Sequence, residues 1–191
     1  MAIRSFLAFD LPEDIKKVVS RTSEELTRRP LKVRWVDPGK IHLTIVFLGD
    51  VEEARLDQIG NVVDEICKGY RDFNMGLNGA GFFGTIKNPR VIWLGLKGDV
   101  DRMGALRNSL QKALGPFGIK EENRPFRPHI TLGRFKQDAA GGEELRRIMD
   151  SYKNITSPMC VMSELVLYRS ELRPSGPVYT VLRRYRFTGQ L

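Results

Sequence analysis

His42 and His129 are the only histidines in the chain, and each stands two places before a threonine, in His42-Leu43-Thr44-Ile45 and His129-Ile130-Thr131-Leu132. Both tetrapeptides lie in β-branched, apolar runs, IHLTIVFLGDV and RPHITLGRFK, that read as strands. Alternate residues of a strand share a face. His42 is therefore expected beside Thr44, and His129 beside Thr131, while Leu43, Ile45, Ile130 and Leu132 face the other way. An imidazole beside a hydroxyl, presented twice, suits acid–base chemistry on a phosphate. One ring can be neutral and the other protonated near neutral pH, and each hydroxyl can hold a non-bridging oxygen.

Competing chemistries fit less well. Two histidines, with no Cys, Asp or Glu at a ligand offset in either motif, make a poor zinc shell, so no metal and no cofactor is expected. The chain has no G-x-S-x-G and no P-loop or Rossmann glycine pattern. Gly76, Gly79, Gly81 and Gly84 read instead as bulges and turns along a strand.

The remaining elements must bring the two strands together. Residues 3–9 read as a strand, and Asp10-Leu11-Pro12 opens a helix with Ile15, Val18, Val19, Thr22 and Leu26 on one stripe. A short strand at 32–36 and a turn at Asp37-Pro38-Gly39 lead into the first motif strand, 41–48. Asp50 and Glu53 are read as a capping box for a second helix with Leu56, Ile59, Val62, Val63 and Ile66 on its apolar face. Strands at 73–83 and 90–96 are joined by a loop from Gly84 to Pro89. A third helix follows Asp99 (Met103, Leu106, Leu110, Leu114) and stops at Gly115-Pro116. The second motif strand is 129–135. A weaker helix (Leu145, Ile148, Met149, Tyr152), a strand at 160–169, a loop from Pro174 to Pro177 and a strand at 178–187 complete the chain.

That order contains a repeat. The histidines are 87 positions apart, and the same offset carries Phe6-Leu7 onto Trp93-Leu94 and Val91 onto Val178. The expected architecture is one bilobal α+β domain over residues 1–191. Pseudo-twofold symmetry would set two mainly antiparallel sheets about a central groove, with helices outside and one motif strand from each lobe.

The chain of 191 residues is 41% hydrophobic and 28% charged, the balance of a soluble globular protein. No apolar run approaches the roughly 20 residues that span a bilayer, and Asp10 and Pro12 spoil the N-terminus as a signal peptide, so no membrane partner is expected. Cys67 and Cys160 match no metal or redox spacing and are expected as reduced core residues, which points to the cytoplasm. The net charge of +8 makes a polyanionic partner plausible. Arg and Lys gather at residues 16–34, around the second motif (Arg124, Arg127, Arg134, Lys136) and at Arg183, Arg184 and Arg186.

IHLTIVFLGDV and RPHITLGRF resemble the paired H-x-T-x motifs of the 2H phosphoesterases. The length, the opening SFLAFDLP and the motif spacing resemble the bacterial and archaeal RNA 2′,3′-cyclic phosphodiesterases, once called 2′-5′ RNA ligases. The resemblance covers essentially the whole chain. It implies metal-independent opening of a cyclic phosphate to an RNA 2′-phosphate, with His42 as proton donor and His129 as the acceptor that activates water. Thr44 and Thr131 match phosphate-binding threonines, and Arg134 matches a functional arginine five residues after the second histidine. Strand parity alone turns Arg134 away from His129, so a bulge or bend near Gly133 is required; the first motif has Phe47 at that offset. Arg124, Arg127 and Trp35 are candidate RNA contacts, whereas Phe9 is assigned to the core.

The leading expectation is an enzyme acting on RNA with a 2′,3′-cyclic phosphate end, working as a monomer. Alternatives keep the site and change the substrate to 2′-5′-linked oligonucleotides, a small cyclic nucleotide or an ADP-ribose cyclic phosphate. A non-catalytic module binding a nucleotide or RNA end is a different class, and it would need neither a proton donor nor an acceptor.

Overall fold

The two motif strands lie in different antiparallel sheets. A computed structural model describes residues 1–137, 142–174 and 176–190. Its first half contains β1 (Ala2–Phe9), α1 (Glu13–Thr27), β2 (Val33–Trp35), β3 (Leu43–Glu52), α2 (Leu56–Gly69) and β4 (Phe73–Thr85). Its second half contains β5 (Asn88–Gly98), α3 (Val100–Leu114), β6 (His129–Phe135), α4 (Gly142–Tyr152), β7 (Cys160–Met162), β8 (Glu164–Arg173) and β9 (Gly176–Arg186). One sheet has the order β3-β1-β8-β9 and the other β2-β6-β5-β4-β7, with every neighbouring pair antiparallel. The fold is α+β.

Each motif strand divides its side chains by parity. Leu43 and Ile45 from β3, with Ile130 and Leu132 from β6, are buried in one shared core with Leu7, Phe9, Ile92 and Leu94. His42, Thr44, His129 and Thr131 are only half-buried. Slipping either strand by one residue would expose its aliphatic side chains, at roughly 1.5–3 kcal/mol apiece, so the core fixes which way the histidines point. Helices close the core with their apolar stripes: Ile15, Val19 and Leu26 on α1, Ile59 and Val63 on α2, and Met103, Leu106 and Leu110 on α3. A second small cluster, Phe6, Ala8, Val166 and Tyr168 with Tyr179 packed against it, occupies the other face of the β1 sheet.

An offset of 87 positions carries α1 onto the limits of α3, and lays β1 on β5, β3 on β6, α2 on α4 and β4 on the β7–β8 segment. The sheets interleave these halves. β1 pairs with β3 and with β8 from the second half, while β5 pairs with β6 and with β4 from the first.

Several local expectations need correction. The Asp50–Glu53 capping box does not form. Asp50 stays in β3, which pairs with β1 as far as Ala2 opposite Glu52, and the Glu53 N–H bonds to the Met1 carbonyl. A short 3-10 turn, Glu53–Arg55, then leads into α2 without a side-chain cap. The first motif strand begins at Leu43, so His42 sits just ahead of it, after a 3-10 turn at Pro38–Lys40 capped by the Asp37 carboxylate. The expected Gly84–Pro89 loop is mostly strand: β4 continues to Thr85 and β5 starts at Asn88. The expected strand at 160–169 breaks at Ser163 into β7 and β8, which belong to different sheets. In the expected Pro174–Pro177 loop, β9 already begins at Gly176, and Ser175 lies outside the described residues. Cys67 is a buried free thiol as expected, but Cys160, on short β7, is only half-buried.

Candidate active site

Both histidines use the same local device. His42 Nδ1 lies 3.0 Å from the Lys40 carbonyl, and His129 Nδ1 lies 2.7 Å from the Arg127 carbonyl. A carbonyl oxygen only accepts, so each Nδ1 carries the proton and donates it. Nε2 is thereby left free to take or give a proton, and the ring is held against rotation.

The aromatic walls differ. His42 stacks on Phe6 with centroids 4.7 Å apart, and Tyr179 meets it edge-on at 5.1 Å. Tyr168 stacks on Phe6 at 5.2 Å and lies 6.2 Å from His42. His129 meets Phe83 edge-on at 4.7 Å, with Trp93 at 6.5 Å. Trp93 packs flat over Gly81, where an added Cβ would fall 2.5 Å from the indole. The indole N–H is buried, with no hydrogen-bond partner among the described residues. No sequence motif singles out Phe6, Tyr168, Tyr179, Phe83 or Trp93 as a site residue. The repeat holds one clue, because the offset that pairs the histidines also pairs Phe6 with Trp93.

Burial lowers the pKa of both imidazoles below the ordinary value, since an apolar wall disfavours the charged ring. Accepting carbonyls oppose this at both sites. The neighbouring charges then act in opposite directions: Asp10 raises the proton affinity of His42, and Arg134 lowers that of His129.

Arg134 owes its position to a bulge. Along β6, His129 faces Gly95, Thr131 faces Trp93, and Arg134 faces Val91, with Leu132 the extra residue. Gly95, Trp93 and Val91 share one face of β5, so His129, Thr131 and Arg134 share that face too. Arg134 also acts electrostatically on Tyr179, the ring beside His42. Strands β3 and β6 pack together, and Arg134 acts electrostatically on His129 in the second motif.

The other candidates fall elsewhere. Trp35 pairs with Gly133 on the opposite face of the sheet from Arg134 and packs against the main core. It is therefore half-buried on the core side of the sheet. Phe9 is fully buried, as expected. Arg124 Nε is held by the Glu122 carboxylate at 3.2 Å, and the side chain lines a polar hollow of about 350 Å³ against α3. Arg127 contributes its carbonyl to His129, and its side chain is exposed. Among the described residues, no three His, Cys, Asp or Glu side chains are grouped to hold a metal ion.

Residues 8–173 match the family described as the 2′-5′ RNA ligase superfamily. A Methanothermobacter thermautotrophicus protein named RNA 2′,3′-cyclic phosphodiesterase is 36% identical over 186 residues, covering 97% of this chain and 100% of that one. The crystal structure of a Thermus thermophilus protein, 26% identical, superposes with a TM-score of 0.79 over 99% of this chain and 100% of its own. Escherichia coli LigT in complex with 3′-AMP, 28% identical, superposes with a TM-score of 0.77 over 98% of this chain and 99% of its own.

Proposed function

The chain belongs to the 2′-5′ RNA ligase superfamily, and within it we infer a hydrolase that opens terminal RNA 2′,3′-cyclic phosphates to 2′-phosphomonoesters. The observation that carries this reading is the doubled site. Each half of the chain supplies one half-buried histidine with Nδ1 committed to a carbonyl, beside a threonine on the same face.

In this reading, neutral His129 takes a proton from water through Nε2 as the water attacks phosphorus. Protonated His42 gives its Nε2 proton to the departing ribose oxygen. Thr44, Thr131 and Arg134 bind the non-bridging oxygens, whose charge grows as the fifth ligand arrives. Arg134 also favours the neutral form of His129, which a base requires. In this reading Arg127, two residues before His129, and Arg124 contact phosphates of the RNA body. The chemistry draws on no metal.

The two halves form one bilobal unit by this reading, supported by the shared offset and by strands exchanged between the sheets. Both motifs come from a single chain, which fits a monomer, and free thiols fit the cytoplasm. No helix of the described residues is long and apolar enough to cross a membrane.

A second reading, supported by the mononucleotide held in Escherichia coli LigT, makes a small cyclic nucleotide the substrate of the same chemistry. The test compares kcat/KM for an oligoribonucleotide with a 2′,3′-cyclic phosphate end against that for 2′,3′-cyclic AMP. Preference for the oligonucleotide supports the first reading, and equal or better use of the mononucleotide supports the second. If neither is hydrolysed, both fail.

A further inference from the structure

We propose that Asp10 is the residue that makes His42, and not His129, the proton donor. The proposal rests on the reading of the two histidines as acid and base.

Strand register carries it. Ala8 faces Thr44 and Phe9 faces Leu43, so one step further along each chain sets Asp10 across from His42. Asp10 then shares the face of Phe6 and Ala8, the face on which the His42 ring lies. Opposed side chains of an antiparallel pair start about 5 Å apart at Cβ. The carboxylate is held in place from two sides. One oxygen accepts from the Tyr168 hydroxyl, and the other accepts from Arg184 Nη1 at 3.2 Å. Tyr168 is itself stacked on Phe6, which is stacked on His42.

Asp10 is the charged group that acts on His42. Arg184 also pairs with Glu164, so one guanidinium is shared between two carboxylates. Lys40 contributes a carbonyl to the ring, while its ammonium lies 3.8 Å from Asp37. Arg4 and Arg134 act on Tyr179, and neither is among the charges acting on His42. Proton affinity at His42 is raised by Asp10, in keeping with this geometry.

The second half of the repeat reverses the sign. Gly95, which has no side chain, stands opposite His129. Arg134 joins His129 on its own face. An anion beside one ring and a cation beside the other give the proton to His42.

The test is Asp10→Asn, read by imidazole NMR titration of the free enzyme, where two histidines give two assignable sets of signals. The His42 pKa is expected to fall by about one unit or somewhat less, with His129 unmoved. In kcat/KM the alkaline limb, where the acid loses its proton, is expected to move down by the same amount while the acid limb stays. Arg184→Gln removes the opposing cation and is expected to move His42 the other way, which keeps the test open if Asp10→Asn folds poorly. Unchanged His42 titration, or equal movement of both histidines, overturns the proposal. A shifted His42 titration with a fixed alkaline limb also overturns it, through the reading it rests on, because His42 would then not be the donor.

Discussion

Thr131 and Arg134 lie on the same face of β6 although they are three residues apart. An unbroken strand would set them on opposite faces. Leu132 is the extra residue that restores the match, and it stays buried in the core as it does so. Gly133 follows because the bulge brings β2 close: an added Cβ would fall 2.4 Å from a Val33 methyl. A packing irregularity thus sets a guanidinium on the face of His129 and Thr131.

Arg134→Gln should therefore lower kcat/KM by roughly tenfold to a hundredfold, the worth of one charge-assisted hydrogen bond. It should also move the acid limb of the pH profile upward, since removing the cation lets His129 hold its proton to higher pH. Arg134→Lys should keep the limb in place and recover part of the rate. Steady-state kinetics across pH check all of this, and an acid limb that stays put in Arg134→Gln would detach the arginine from His129.

His42→Ala and His129→Ala should each remove most turnover with the fold intact. Loss of a general acid or base costs on the order of 10²–10⁴ in rate. The double variant should be little worse than the poorer single, because the pair acts as a unit. Circular dichroism and turnover of a cyclic-phosphate oligonucleotide check this. Near-normal turnover in either single variant would remove that histidine from the mechanism.

The pH dependence of kcat/KM should be bell-shaped and centred at or below the ordinary imidazole value of about 6.5. Burial lowers both histidines, so both limbs lie to the acid side. Stability should follow the same sign. A ring that is harder to protonate when folded loses stability as pH falls through the unfolded value near 6.5. Thermal unfolding followed from pH 8 to pH 5 would show it as a falling midpoint, and a midpoint that rises toward acid pH would contradict it.

The motif strands, their facing and most helices were legible in the sequence because each is a local pattern. His42 and Thr44 alternate with Leu43 and Ile45, and that alternation is what the core enforces. The aromatic wall was not legible in the same way. Phe83, Tyr168 and Tyr179 reach the histidines through antiparallel pairings between strands distant in the chain, and a side chain's own strand does not reveal its cross-strand neighbour. The face of Trp35 was hidden for the same reason: it is set by pairing with Gly133, beyond the bulge. Asp50 and Glu53 had the spacing of a capping box, yet extending the β1–β3 ladder satisfied more backbone groups than an earlier helix start would have.

Exhaustive chelation should leave activity unchanged, and no divalent ion should raise it. The motifs offer two imidazoles and no third ligand at a suitable offset, which is a poor shell for a metal. Turnover after EDTA dialysis is the measurement. A rate that collapses and returns with one particular metal would point to acidic ligands instead.

The central claim concerns which bond breaks. Both ribose oxygens of a cyclic phosphate are competent leaving groups, so the protein must choose by position. Attack in line with departure places the base and the acid on opposite sides of phosphorus, an arrangement that strands from two sheets can supply. With His129 holding water and His42 behind the 3′-oxygen, that oxygen leaves protonated and the phosphate stays on the 2′ position. The direct measurement is to digest an oligoribonucleotide bearing a 2′,3′-cyclic phosphate and separate the 2′- and 3′-phosphate products. A 2′-phosphate as the main product is the expected result. A 3′-phosphate as the main product would contradict the account, since the substrate would then lie the other way round between the two histidines.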